Sequence, residues 1–587
     1  MPARSYLLTG PVPLVAGPTV ADLAALVAAD VLVRRARADG QRLCWLGAAM
    51  AGGLTAQRAV EDDLIREGLD KATLGRAVYA TRAAAAAGAS CRRLGALAGA
   101  LGLGFDAPAA AAAGDATAAA ARTAFVRLFD AGLMTEAERV VGTCPRCLST
   151  VAATEAVEVL LAGQLLTLRL GLVGGTDPAG HLDVRCAAPE LLAGVVAVAV
   201  PPGLPAAATA ASIPVAATVV PLVVDDAVDE PTLVVPAHDP AALDVARRLG
   251  LPPVPVIGAD GHVRGDGPLS GLARHAARAA ARRMLEAEGA VVEAASHRER
   301  VQRCPACATV LVPLLRRQWF LAMDDLELAA ADAVRDDRVA LTGAPREDVL
   351  ARAGATGEWC VTQQVWVGTP VPVARCLDCG HVEVSVHMAP SCGRCMGDLA
   401  PDEDVLDARF VRTVWPLAAA GWPDGPKGQA TRTGAGTLLV MSSESSDEVL
   451  AMLALGLRLS GAVPFDEVVF LPPCGGGRSG PGERPPADAP SLDDLSALVA
   501  REGAAVVRVA MTGAGLDVAR ARDLADRLAN PPVGGADVDR LAAAVAGAFA
   551  SSAPAAAAAL LEAAVAEGVP AVGAERVRVL AGPFLGT

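Results

Sequence analysis

A chain of 587 residues, 53% hydrophobic but only 3% aromatic, is long enough for several domains whose cores are built from small side chains. Its net charge of −14, with Lys71 and Lys427 as the only lysines, excludes a broadly basic nucleic-acid surface and leaves room only for a local patch. The apolar stretches, such as Leu192 to Val200, are short or broken by Pro and Gly, which excludes a transmembrane helix. A run near the N-terminus that imitates a signal peptide is interrupted by Pro11, Pro13, Pro18 and Asp22.

Taken in order, the chain opens as α/β. A strand is expected at Ser5 to Leu8, a helix from Ala21 to Ala38, a strand at Arg42 to Leu46, and helix again around Glu61 to Ala87 with Gly88 as its stop. The alanine-rich Ala107 to Ala121 reads either as a helix hairpin or as a loosely ordered insertion. From Val151 to about Ala295 the pattern changes to short β-branched strands punctuated by Pro and Gly, among them Ile213 to Val224 and Thr232 to Val235, which predicts a compact β-rich unit. Helix returns at Ser270 to Glu288, and from Leu311 to about Ala529 helices and strands alternate as in a nucleotide-type sheet. After Asn530 the sequence is helical and alanine-rich. The arginines at 34, 35 and 37 and those from Arg274 to Arg283 read as solvated helix faces.

Eight of the 13 cysteines fall in four Cys-x-x-Cys pairs: Cys144/Cys147, Cys304/Cys307, Cys376/Cys379 and Cys392/Cys395. Two such knuckles supply the four soft ligands of a tetrahedral zinc without straining the backbone. The last two pairs, separated by a 12-residue loop, are spaced for one local ribbon. By elimination the first two form a second site at the base of the segment between them. Cys-Pro-x-Cys also occurs in redox enzymes, but paired knuckles favour zinc, and four thiolates leave no open position for catalysis. The remaining cysteines (Cys44, Cys91, Cys186, Cys360 and Cys474) read as small buried hydrophobes. Reduced thiols at this density imply the cytoplasm.

Beyond the ribbon, Asp404-Val-Leu-Asp407-Ala-Arg409-Phe410, Trp415-Pro416 and Gly421-Trp-Pro423 follow in an order that resembles the valyl-tRNA synthetases, class I aminoacyl-tRNA synthetases. The resemblance is collinear over most of the first 530 residues. It includes Gly40 to Leu46 with Gln57, Pro236-Ala-His238-Asp239-Pro240, Pro313 to Phe320, Trp359-Cys360 with Gln364, Trp366 and Gly368, and Gly456 to Phe465. It implies a Rossmann-like class I nucleotide fold split by an inserted editing-type domain. The implied limits are 1–143 and 308–529 for the two halves, with the ribbon at 376–395, 144–307 for the insertion, and 530–587 for a short helical tail, a remnant of the anticodon-binding domain.

The residues that carry the family's chemistry depart from its pattern. Its H-I-G-H falls on Thr19-Val20-Ala21-Asp22, and neither Thr19 nor Asp22 supplies a positive field for phosphate. Its K-M-S-K-S falls in a lysine-free loop where only Arg478 and Arg484 carry positive charge. In the editing segment, His238 and Asp239 remain, Ala242 stands at the expected aspartate, and Asp244 lies two residues on. Three readings follow. The first is a pseudo-synthetase scaffold, zinc-stabilised, that binds a protein partner or small ligand. The second is a divergent valine–tRNA ligase that uses Arg478 or Arg484 with ATP and magnesium. The third is a hydrolase of mischarged tRNA working through His238, Asp239 and Asp244. The charge pattern gives tRNA binding no independent support.

Overall fold

The computed structural model describes residues 6–424, 436–471 and 497–501, apart from 19, 39, 42, 175–179, 204–207, 344–345 and 443–445. At its centre five parallel strands lie in the order Ala340–Thr342, Glu467–Leu471, Thr437–Ser442, Tyr6–Thr9, Cys44–Leu46. Runs such as Leu438-Leu-Val-Met441 and Val468-Val-Phe470 are buried along their whole length, the signature of strands covered on both faces. Tyr6 pairs with Thr437 on one side and Cys44 on the other, so the early and late parts of the chain close one sheet. The strand order reverses between Tyr6–Thr9 and Thr437–Ser442. The carboxyl ends of those two strands therefore open the crevice where such sheets bind ligands.

Helix Val20–Ala38 buries Leu23, Leu26, Val27 and Val31 at helical spacing, with Asp22 in its first turn and Arg35 and Arg37 in its last. Helix Arg76–Ala100 runs through Gly88, against the expected stop. A mid-helix glycine costs only about 1 kcal/mol, and packing on the next helix outweighs it. Ala107 to Ala121 belongs to one helix, Ala107–Asp130. It is started by Asp106, whose Oδ1 accepts a hydrogen bond from Ala109 N at 3.0 Å, and by Pro108 in its first turn.

The β-rich segment is a seven-stranded sheet covered by helix Arg274–Ala287, over a core of Leu168, Leu170, Val198, Ile213 and Leu285. Two of its strands are long, contrary to the short ones expected. Val157–Val173 and Val291–Arg303 pair antiparallel from Val157↔Arg303 to Leu168↔Val291. Near their open end they form a two-stranded ribbon without a face to bury, so the sequence carries no clean alternation there. The ribbon leads back to Met134–Cys144 and Val312–Ala322, which pair with each other in the core. A three-stranded sheet, Val382–Val384, Val373–Cys376 and Leu399–Pro401, carries the second cysteine cluster. Among the described residues, no helix is long and apolar enough to cross a membrane.

Candidate functional site

The eight knuckle cysteines gather into two clusters, Cys144/Cys147/Cys304/Cys307 and Cys376/Cys379/Cys392/Cys395, each with its sulfurs within 4.8 Å of one another. In the first, Cys144 and Cys307 are 3.4 Å apart, Cys147 and Cys307 3.6 Å, and Cys147 and Cys304 4.0 Å. In the second, Cys376 and Cys395 are 3.4 Å apart and Cys379 and Cys392 3.7 Å. A tetrahedron with Zn–S bonds of about 2.3 Å has edges of about 3.8 Å, so both donor sets fit zinc.

The backbone repeats one geometry four times. Leu148, Ala308, Gly380 and Met396, each just after the second cysteine of its pair, are left-handed with φ of 56, 57, 68 and 63°. Each donates its N–H to the carbonyl of the pair's first cysteine, at 2.8, 2.9, 3.1 and 2.9 Å respectively. Three of the four are not glycine, so the chain bears local strain to hold these turns. Around the first cluster, Thr309 Oγ1 is 3.2 Å from Cys307 Sγ, and the buried Arg58 lies within electrostatic reach of Cys147. Both offset the negative charge of four thiolates.

The second candidate is the crevice at the sheet switch point. Asp22 stands half-buried in the first turn of Val20–Ala38, where the family's phosphate-binding histidines would fall. Helix Ala408–Thr413 carries Arg409 and Arg412, and brings Arg412 within electrostatic reach of Asp22. Arg412 Nη2 lies 2.9 Å from Glu448 Oε2, and Asp22 and Glu155 also act on its charge. Desolvation opposes the Arg412 cation, but these three acids outweigh it and hold its pKa up. Arg409 Nη1 donates to the Thr154 carbonyl at 2.7 Å, and Arg409 lies 3.9 Å from Asp447.

Behind the arginines sits a carboxyl pair. Gln363 Nε2 donates to Asp407 Oδ2 at 2.6 Å and to Glu155 Oε2 at 3.1 Å, and the two carboxyl groups hydrogen-bond each other. Asp407 is fully buried and caps Ala408–Thr413, its Oδ1 accepting from Arg409 N at 3.0 Å and Phe410 N at 3.1 Å. Burial first, and the Glu155 charge second, push the Asp407 pKa well above the usual carboxylate range. Burial also raises that of Glu155, with Asp407, Arg409 and Arg412 opposing. The pair therefore shares a proton. Within the described residues, Gln363 Oε1, Arg412 Nε and Glu448 Oε1 make no hydrogen bond although they are buried.

The editing-like residues are not brought together for chemistry. His238 is buried with both ring nitrogens engaged: Nδ1 lies 2.8 Å from the Pro313 carbonyl, and Nε2 accepts from Val256 N at 2.9 Å and Ile257 N at 3.3 Å. These bonds fix the neutral tautomer with Nδ1 as the donor, and desolvation lowers the ring's pKa. Asp239 caps helix Pro240–Leu249 through Ala241 N at 2.8 Å, and Asp244 is exposed on that helix. Thr19, Arg478 and Arg484 lie outside the described residues. Glu155, Gln363 and Glu448 escape a reading by motif because no spacing marks them.

The family model for tRNA synthetases class I (I, L, M and V) matches residues 2–472. Among curated proteins, the valine–tRNA ligase of Clostridium tetani is 28% identical over 414 residues, covering 67% of this chain and 46% of that protein. The valine–tRNA ligase of Carboxydothermus hydrogenoformans is 29% identical over 454 residues, covering 75% and 51%. The chain thus spans about half the length of the relatives it matches. Among solved structures, Mycobacterium tuberculosis methionyl-tRNA synthetase bound by methionyl-adenylate superposes with a TM-score of 0.52 at 11% identity, covering 99% of this chain and 92% of that one, a likeness of fold. With the split parallel sheet, the β-rich insertion and the two four-cysteine clusters in place, the chain belongs to the class I tRNA synthetases (I, L, M and V), and the two curated relatives named above are valine–tRNA ligases.

Proposed function

We propose that this chain is a valyl-tRNA-synthetase-like scaffold, stabilised by two zinc ions, that has lost aminoacyl-adenylate formation and acts by binding. The observation that carries this reading is the Arg412–Glu448 ion pair beside Asp22. A triphosphate entering the crevice meets Asp22, and both arginines there are already engaged by the protein, Arg412 by Glu448 and Arg409 by the Thr154 carbonyl. Catalysis of phosphate chemistry needs preorganised positive charge aimed at the reacting group, and here the protein's own carboxylates take up that charge. The proposed division into 1–143, 144–307, 308–529 and 530–587 goes with this reading, since Cys144 and Cys304 stand together where the chain leaves and re-enters the core. The closed hydrogen bonding of His238 weighs against a deacylating role for the insertion.

The deciding experiment is valine-dependent ATP–pyrophosphate exchange on zinc-replete protein. No exchange above a no-enzyme control is expected. Robust, magnesium-dependent exchange would overturn the reading and assign the phosphate role to Arg478 or Arg484.

A further inference from the structure

Beside the crevice, but sharing none of the charged residues named there, a half-open cavity of about 260 Å³ is walled by Trp45, Phe105 and Trp415. Small side chains make the space: Ala109, Ala110, Ala113 and Ala116 face it from helix Ala107–Asp130. Gly47 lets Phe105 approach, because a Cβ there would stand 2.6 Å from Phe105 Cε2. Trp45 and Phe105 meet at 49° with centroids 5.6 Å apart. Both indole N–H groups are spent on one residue: Trp415 Nε1 donates to Thr9 O at 3.0 Å and Trp45 Nε1 to Thr9 Oγ1 at 3.4 Å. The walls are therefore fixed and offer π faces and C–H groups rather than free donors.

We propose that this cavity binds a planar aromatic compound of one or two rings carrying an N–H donor. Size sets the upper limit. An apolar cavity of about 150 Å³ accepts benzene, whereas drug-sized ligands fill about 300–1,000 Å³. Aromatic walls add about 0.5–1.5 kcal/mol per ring pair beyond area burial, which favours a flat ring over an aliphatic ligand of equal volume. The donor follows from Asp106, an exposed carboxylate in the cavity lining that uses Oδ1 to cap the helix. Among the described residues no positive charge lines the cavity, so phosphorylated or carboxylated rings are disfavoured.

Indole is the probe, titrated calorimetrically into the full zinc-loaded chain, with Ala113→Leu to fill the cavity and Ala116→Leu to close its mouth. One indole per chain is expected, with affinity falling at least tenfold in both variants at unchanged zinc content and circular dichroism. Ala116 is exposed, so its variant decides the matter if Ala113→Leu does not fold. Failure of indole to bind the parent chain, or equal binding by folded Ala116→Leu, overturns the proposal. Neither result depends on pyrophosphate exchange, because the cavity shares none of the charged residues of the crevice.

Discussion

Arg412 and Glu448 form an ion pair at 2.9 Å between helix Ala408–Thr413 and helix Ser446–Ser460, joining two elements that flank the crevice. Glu448 is buried and Arg412 is about a third exposed, so the pair is partly screened and worth less than a fully buried one. Arg412→Ala strands the Glu448 carboxylate and is expected to cost about 2 kcal/mol, read by chemical denaturation. The double substitution Arg412→Ala/Glu448→Ala is expected to cost less than the sum of the two singles. Strict additivity would mean that the pair is not coupled.

Zinc removal is expected to act locally first. Cys376→Ser should lower bound zinc from two ions to one, measured by elemental analysis, and lower the melting temperature, since metal binding free energy is also folding free energy. Thr19→Ala, prepared alongside, should leave both quantities unchanged. A Cys376→Ser protein with full zinc content would remove the ribbon cluster as a metal site.

The Glu155–Asp407 pair makes stability depend on pH in a definite direction. Both carboxyl groups are raised in the folded chain, so the native state holds protons that the unfolded chain releases near its ordinary carboxylate range. Their contribution is complete below that range and is lost as pH rises through the raised values, at about 1.4 kcal/mol for each tenfold difference in proton affinity between the folded and unfolded chain. Glu155→Gln keeps the shape and removes one of the two titrating groups, together with its charge beside Asp407. It should melt higher than the parent at pH 8 and nearly with it at pH 4. A parallel offset at both pH values would mean that the pair does not titrate on folding.

His238→Ala breaks three hydrogen bonds at once and orphans Val256 N, Ile257 N and the Pro313 carbonyl. A loss of about 2–4 kcal/mol is expected, visible as a lower denaturation midpoint. If the imidazole is structural, any residual deacylation of mischarged tRNA by the protein should persist in the folded variant. Selective loss of that activity at unchanged stability would make His238 catalytic.

Much was legible in the chain itself. Cys-x-x-Cys spacing fixes ligand number and type, because a knuckle is a local backbone geometry, and the collinear segments from Gly40 to Phe465 fixed the family. Two strands of the parallel sheet, Tyr6–Thr9 and Cys44–Leu46, lie where Ser5 to Leu8 and Arg42 to Leu46 read as strands, and the departure at Asp22 was visible as a residue type. Other features are pairwise facts between distant parts of the chain, and only the tertiary structure decided them. Gly88 stays helical because a neighbouring helix packs on its element. His238 is pinned by Val256, Ile257 and Pro313, residues that no motif places beside it. Arg412 meets Glu448, and Glu155 meets Asp407, because the sheet brings late and early segments together and low polarity between them strengthens whatever charges meet there.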